Sequence, residues 1–419
     1  MRQKLLVLSC MSMVSIATSS VLYAAEQETA QPSSMKDFIN YVLEGSPIVA
    51  EAEARVMSAK AGKSAASKWI YNPEIEYGEE DIDGEKKTRT YGISQTIDWS
   101  GKFVSSGKTA GLELQAVEAD RDGVNLNVMV NVLSSLADYR AAKEIYDLAS
   151  KRTGFMERFA KLAKKGLKAG DIDRSEYNLA ELALSEALIA QADAQTALAQ
   201  SNRDFNSSIG FSFTGGNIAM PELPDNLPVL PEAQDIDQLL LNLPSVRAMR
   251  SREEAAKSAI TSARKDRIAD PTIGVIGGKD TGSDVVGFSV SIPINVLNSY
   301  GAEVDQAKQE AIAQAKAGQN AYFSAKANLD AARSSYKLSR KAWLNWQGNG
   351  AQALAEQTDV LDRKFKVGDL SATDYLVQIK QALDTQVAAE ELHSKVWQSW
   401  FAWLGASGTV NQWIQNSGE

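Results

Sequence analysis

Two ten-residue stretches, KAGDIDRSEY at 168–177 and KVGDLSATDY at 366–375, place carboxylates at matched positions 198 residues apart. Asp171 faces Asp369, and Glu176 faces Asp374. Each pair follows a glycine, Gly170 or Gly368, of the kind that lets a chain reverse. On residue chemistry alone these acids read as helix N-caps and first-turn acids. More acids, Glu74, Glu76 and Glu80, alternate with Ile75 and Tyr77.

None of these carboxylates has the partners that catalysis needs. His393 is the only histidine, and among Glu390, Glu391 and Lys395 it reads as a lone surface side chain. The sequence shows no Gly-rich phosphate loop, no nucleophile elbow and no metal-ligand cluster. The expectation is a protein with no catalytic residues, no metal and no cofactor.

Composition narrows the setting. Arg2 and Lys4 precede an apolar run that ends near Tyr23-Ala24-Ala25, the pattern of a secretory signal peptide over 1–25. Cys10 is the only cysteine, and Val-Leu-Ser-Cys at 7–10 leaves lipidation as the alternative. The exported chain then has no thiol and no disulfide. Cleavage leaves 42 basic against 53 acidic residues, a net charge of −11. That balance disfavours nucleic acid and anionic surfaces and suits cationic cargo. No later run approaches the ~20 apolar residues of a spanning helix.

The stretches that carry the acids belong to a long internal repeat. Asn72-Pro73-Glu74-Ile75 faces Asp270-Pro271-Thr272-Ile273 at an offset of 198, and Ser46-Pro47 faces Leu243-Pro244 at 197. Gly101 faces Gly301 at 200. The first repeat covers 26–210 and the second 234–405. A Pro/Gly-rich linker at 211–233 joins them, and a C-terminal tail fills 406–419.

Each copy reads as a helix, two short strands about a polar turn, and a long helical hairpin with its tip near 170 or 368. The first helices cover 47–70 and 245–268. The polar turns are Asp83–Lys86 and Asp280–Ser283. Residues 101–166 hold no proline, and Leu126, Met129, Leu133, Leu136 and Tyr139 form one stripe. A helix of ~65 residues is ~100 Å long, which suits a coiled coil or helical tube. The hairpins, at 73–98 and 271–294, are apolar on one face and polar on the other. Arg89, Tyr91, Ile93, Gln95, Ile97 and Trp99 share a face, and Thr90, Gly92, Ser94, Thr96 and Asp98 share its opposite. This fits transmembrane strands and equally a half-buried soluble hairpin. Four strands cannot close a barrel, so the membrane reading needs several chains to share one.

Here the residues resemble the TolC family of outer-membrane efflux proteins. The carriers are Asn72–Ile75, Gln95-Thr96-Ile97-Asp98-Trp99-Ser100-Gly101-Lys102, Ile292-Pro293-Ile294-Asn295-Val296, and the turns Ala169-Gly170-Asp171-Ile172 and Val367-Gly368-Asp369-Leu370. The resemblance implies a mainly α fold with a small β part. Each protomer of a homotrimer would give four strands to a 12-stranded outer-membrane β-barrel. That barrel would continue into a trimeric α-helical periplasmic barrel.

The resemblance also implies site residues and partners. Ala169, Gly170, Val367 and Gly368 would be tips that dock a periplasmic adaptor (membrane fusion) protein, linked to an inner-membrane pump of the resistance–nodulation–division (RND) type. Asp374, Glu176, Asp171 and Asp369 would belong to the periplasmic aperture. Val377 stands where the family has a second aperture aspartate, and Phe365 and Leu370 stand where it has the tyrosine and arginine of a latch. Glu74, Glu76, Glu80 and Asp98 would line the barrel lumen. The short length is most like heavy-metal (CzcC-like) members, with multidrug or type I secretion ducts as alternatives. A periplasmic coiled-coil scaffold is the alternative of another class. Trp397, Trp400, Phe401 and Trp403 are expected to pack between helices.

Overall fold

The computed structural model describes residues 34–82, 86–210, 220–224, 226–231, 235–280 and 282–416. The expected signal peptide, Cys10, Asp83–Glu85, Thr281 and much of the linker lie outside the described residues.

Prolines set where two helices begin. α1 (Met35–Gly45) is followed by α2 (Pro47–Ala66), and in the second half α5 (Ile236–Asn242) is followed by α6 (Pro244–Asp266). Pro47 and Pro244 occupy first-turn positions, where a missing N–H costs nothing. β1 (Glu74–Ile82) and β2 (Lys86–Thr96) follow α2, and β3 (Thr272–Asp280) and β4 (Ser283–Ser291) follow α6.

All four strands form one antiparallel sheet in the order β1-β2-β3-β4. The register aligns Ile75, Ile93, Val275 and Phe288 across the sheet, and beside them Tyr77, Tyr91, Gly277 and Val286. That face is apolar and exposed: Ile75 is 86% accessible and Val286 84%. The opposite face carries Glu74, Ser94, Gly274 and Ser289 in one row and Thr96, Thr272 and Ser291 in another. Gly278 has no substitute, because a Cβ there would sit 2.1 Å from the Arg89 carbonyl oxygen.

Beyond the sheet the chain is helical. α3 (Lys102–Ala169) runs 68 residues, about 100 Å, and α4 (Arg174–Ile209) returns along it. In the second half the corresponding rod is interrupted. α7 (Gly301–Asn345) passes through a π turn at Trp346–Gly350 into α8 (Ala351–Lys366), and α9 (Ala372–Ser407) returns. Sequence reading expected one unbroken stretch here. Gly348, Asn349 and Gly350 are poor helix formers, and the Trp346 ring lies where a Cβ on residue 350 would be, 2.3 Å away. α3 packs on α2, α4, α6 and α9, and α7 packs on α6 and α9.

The main core lies midway along the rods. Phe38 of α1, Leu133 and Leu136 of α3, Phe205 of α4, and Trp397 and Phe401 of α9 are buried together. Trp400 and Trp403 join them, so the aromatic cluster of the last long helix packs between helices as expected. α10 (Val410–Asn416) adds Val410 and Ile414 to this core. Among the described residues no helix is long and apolar enough to cross a membrane.

The halves are fastened where strands become helices. Lys102 Nζ lies 2.8 Å from Asp270 Oδ2, with side chains only 12% and 3% accessible. The Tyr71 hydroxyl donates to the same oxygen at 3.0 Å. Trp99 Nε1 donates to the Ala269 carbonyl at 2.9 Å, and Lys265 Nζ to that of Gly101 at 2.8 Å. Gly101 takes a left-handed backbone before α3; before α7 that role falls to Tyr300, φ 53°, rather than to the aligned Gly301. The Asn298 side chain accepts the Tyr300 N–H at 2.9 Å and supports that turn.

Asp270→Ala would strand the Lys102 ammonium in a buried site, at a cost of about 3 kcal/mol. The helical circular-dichroism signal should melt at a lower temperature in this variant. Lys102→Met combined with Asp270→Leu should recover most of the loss.

Candidate functional site

Both tips are built alike, from the end of one helix and the start of the next. At the first, Gly170 takes φ 82°, its N–H donates to the Leu167 carbonyl at 3.3 Å, and the Asp171 N–H reaches Gly166 at 2.9 Å. At the second, Gly368 takes φ 81°, donates to Phe365 at 3.2 Å, and the Asp369 N–H reaches Lys364 at 2.9 Å. These paired bonds are the Schellman closure, which satisfies the last carbonyls of a helix and requires a left-handed residue. Ala169, Gly170, Val367 and Gly368 are all exposed at the turns.

The N-caps are not the residues that sequence reading favoured. Asp171 and Asp369 are spent on the closure, where their backbone N–H groups work and their side chains stay exposed. Capping falls two residues later. Asp173 Oδ1 accepts the Glu176 N–H at 2.8 Å, and Glu176 Oε2 accepts the Asp173 N–H at 3.1 Å, a full capping box. Ser371 Oγ accepts the Asp374 N–H at 3.0 Å and donates to Asp374 Oδ2 at 2.8 Å. Glu176 and Asp374 are therefore first-turn acids, as the residue-level reading had them, with Asp374 exposed and Glu176 half-buried.

Behind the tips lies a second core. Phe365 stacks on Tyr375 with centroids 4.3 Å apart, Phe159 lies 5.8 Å from Phe365, and Phe155 lies 5.9 Å from Tyr375. Leu361 and Leu376 are buried with them, and Leu370 packs against the cluster. The Tyr375 hydroxyl donates to Asp362 Oδ1 at 2.5 Å. Burial first, and that bond second, push the phenol well above its usual range. Phe365 and Leu370 thus act by packing, joining α3, α8 and α9 through apolar area.

Two ion pairs lie further from the tips. Arg152 of α3 meets Asp384 of α9 at 3.0 Å, with the arginine 10% accessible. Lys380 of α9 pairs with Glu186 of α4. The hydrogen bond from Lys380 outweighs partial burial and holds the Glu186 carboxyl below its usual range, with Lys380 and Arg152 charges adding to the effect. No sequence motif marks these pairs, which join positions 232 and 194 residues apart.

At the other end, Glu74, Glu76 and Glu80 share the polar face of the sheet. Glu74 pairs with Ser94, Glu76 with Gly92 and Glu80 with Thr88. Asp98 does not join them, because β2 ends at Thr96 and the alternation stops. Asp98 instead accepts the backbone N–H groups of Lys102 and Phe103, both at 2.9 Å, and anchors the start of α3. Burial alone would raise its carboxyl, but these N–H groups prevail and hold it below the usual range.

His393 is not a lone surface residue. It stacks on Trp343 with centroids 4.3 Å apart and accepts the Trp397 Nε1 hydrogen at 3.2 Å. Burial lowers its pKa and favours the neutral ring. Among the described residues no three His, Cys, Asp or Glu side chains could together hold a metal ion.

The comparisons fit this geometry. The chain is similar in fold to the solved CusC structure, at 16% identity and a TM-score of 0.75, over 92% of this chain and 95% of that one. It is similar to the outer membrane channel CmeC of Campylobacter jejuni, at 15% identity and a TM-score of 0.74, over 92% and 89%. It is also similar to the outer membrane channel MtrE of Neisseria gonorrhoeae in its open state, at 19% identity and a TM-score of 0.72, over 90% and 89%. No curated protein sequence matches the chain. Residues 38–210, from within α1 to the end of α4, match the family model described as outer membrane efflux protein.

Proposed function

We propose that this protein is the outer-membrane exit duct of a tripartite efflux system, a passive conduit from periplasm to exterior. One observation carries the reading. A four-stranded sheet, apolar on one face and polar on the other with Glu74, Glu76 and Glu80 along β1, runs directly into helical rods about 100 Å long. A lipid-facing and a lumen-facing surface account for the two faces. Three protomers supply twelve strands, and the rods reach into the periplasm.

The exposed glycine tips suit an adaptor platform, and an inner-membrane pump of the RND type would lie beyond it. Heavy-metal cations are the cargo that the glutamates of β1 favour. Glu74, Glu76 and Glu80 recur once per protomer, and rings of carboxylates attract cations. Asp374, exposed beside the second tip, is the aperture acid, and Asp171, Asp369 and Glu176 are the further candidates at the two tips. The latch is the aromatic cluster at Phe365 and Tyr375, with Arg152–Asp384 and Lys380–Glu186 fastening α9 to the first hairpin. The duct needs no chemistry of its own.

Fractionation tests the core reading. The expressed protein should need detergent for extraction and should migrate as a trimer until boiled. Recovery as a soluble periplasmic protein would sink the duct and favour the coiled-coil scaffold.

The tip residues are tested by adaptor crosslinking. Gly368→Pro removes an N–H donor and forbids the left-handed backbone, and Gly170→Trp blocks the first tip. Both should abolish crosslinking while the unboiled trimer persists; retained crosslinking contradicts the docking assignment.

The latch is tested in planar bilayers. Lys380→Ala and Arg152→Ala should raise resting conductance, and Asp374→Asn should weaken cation preference. Acid should act like Lys380→Ala. A carboxyl with a depressed pKa contributes its pairing above the ordinary value of ~4 and loses it as pH falls through the folded value. Conductance should therefore rise below about pH 4, and the acid step should shrink in Glu186→Gln.

A further inference from the structure

We infer that the collar between sheet and rods is a headgroup-binding surface selective for anionic phospholipid. The inference rests on the membrane reading above and goes beyond it.

Four segments form the collar: 63–71, 97–103, 264–271 and 292–300. Hydrogen bonds hold them together. Trp99 Nε1 donates to the Ala269 carbonyl at 2.9 Å. Asn295 Nδ2 donates to the Arg267 carbonyl and Arg267 Nε to that of Ser299, both at 3.0 Å.

The collar exposes large apolar side chains. Trp69 is 69% accessible, Trp99 61%, Ile294 81% and Leu297 100%. Ile292 and Ile294 follow directly on Ser291, the last residue of β4, whose Val286, Phe288 and Val290 lie on the apolar face. The patch thus begins where the strand that carries part of the surface assigned to lipid ends. Indole rings at that level suit the boundary between hydrocarbon and headgroups.

Charge identifies which headgroups. The four segments carry six basic and three acidic side chains, in a chain whose formal net charge is −9. Two of the acids are engaged inside the protein: Asp270 by Lys102, and Asp98 by the start of α3. Asp266 is the acid left exposed, against exposed Lys63, Lys68, Arg264 and Arg267. Lys63 and Arg264 lie in the last turns of α2 and α6, where they also complement the helix dipole. Lys68 and Arg267 lie past those turns, adjacent to Trp69 and Ile268. A basic rim flanking the exposed Trp69 and Ile268 attracts anionic headgroups, and the attraction fades within a Debye length. A zwitterionic headgroup gains little from the same rim.

The full chain, reconstituted into zwitterionic vesicles, tests this. A minority of brominated phosphatidylglycerol, or the same mole fraction of brominated phosphatidylethanolamine, quenches indoles at the boundary. A Trp69→Phe/Trp99→Phe variant supplies the background from the other indoles. Brominated phosphatidylglycerol should quench at least about twofold more strongly, and the difference should shrink with added salt. Lys68→Glu/Arg264→Glu/Arg267→Glu should equalise the two lipids. Lys68→Gln/Arg264→Gln, which spares the bond from Arg267 to Ser299, should reduce the preference. Equal quenching in the unaltered chain, or a preference that survives charge reversal, overturns the inference and leaves the duct standing. No collar quenching by either lipid overturns both.

Discussion

Among the described residues, β1 and β4 each pair on one side only, so the outer edges of the sheet leave backbone N–H and C=O groups without strand partners. In water such edges are an aggregation hazard, and in hydrocarbon they are prohibitive. The sheet is apolar on a fully exposed face, so it must be covered, and its edges must be closed by other strands. Both demands are met by one arrangement, in which β4 of one chain pairs with β1 of the next. Since β1 and β4 run in opposite directions, that junction is antiparallel like those within the chain. A barrel shared between chains would satisfy every edge in this way.

The rest of the molecule is organised around that closure. The buried Lys102–Asp270 pair and its neighbours fix the angle at which strands become rods. The rods transmit that placement over about 100 Å, and the mid-level core of Phe38, Phe205 and Phe401 keeps them parallel. At the far end the two hairpins differ in build. α3 runs unbroken, while the π turn at Trp346–Gly350 interrupts its counterpart. Of α8, Leu361 alone is fully buried. The first hairpin is therefore the stiffer of the two, and the aromatic cluster around Tyr375 holds the second against it.

Much of this was legible in the sequence. Period-two alternation located both hairpins, and the absence of proline after Gly101 marked the long rod. Gly170 and Gly368 announced their turns because a left-handed backbone leaves few other choices. What stayed hidden depended on tertiary surroundings or on where an element stops. Alternation extended past Thr96 puts Asp98 on the lumen face, but the strand ends there. Asp171 and Asp369 read as caps in the sequence because Schellman closure consumes residues that a simple turn would give to the next helix. His393 looked solvated among Glu390, Glu391 and Lys395, but the face of α9 that it occupies meets Trp343 of α7. The pairs Arg152–Asp384 and Lys380–Glu186 join distant positions and leave no local trace.

Interchain pairing of β1 with β4 is the claim on which the account stands. Since sequence reading places the only cysteine, Cys10, in the signal peptide, introduced thiols can report the pairing directly. One cysteine scanned along β1, from Glu74 to Glu80, would be combined with one at Val286 or Phe288 of β4. Within one chain these strands are separated by β2 and β3, so any disulfide between them links two chains. The account predicts that oxidation of native membranes gives crosslinked species for pairs near one register, in a ladder that ends at the trimer. Absence of crosslinks at every register, or a ladder that continues past three chains, would contradict it.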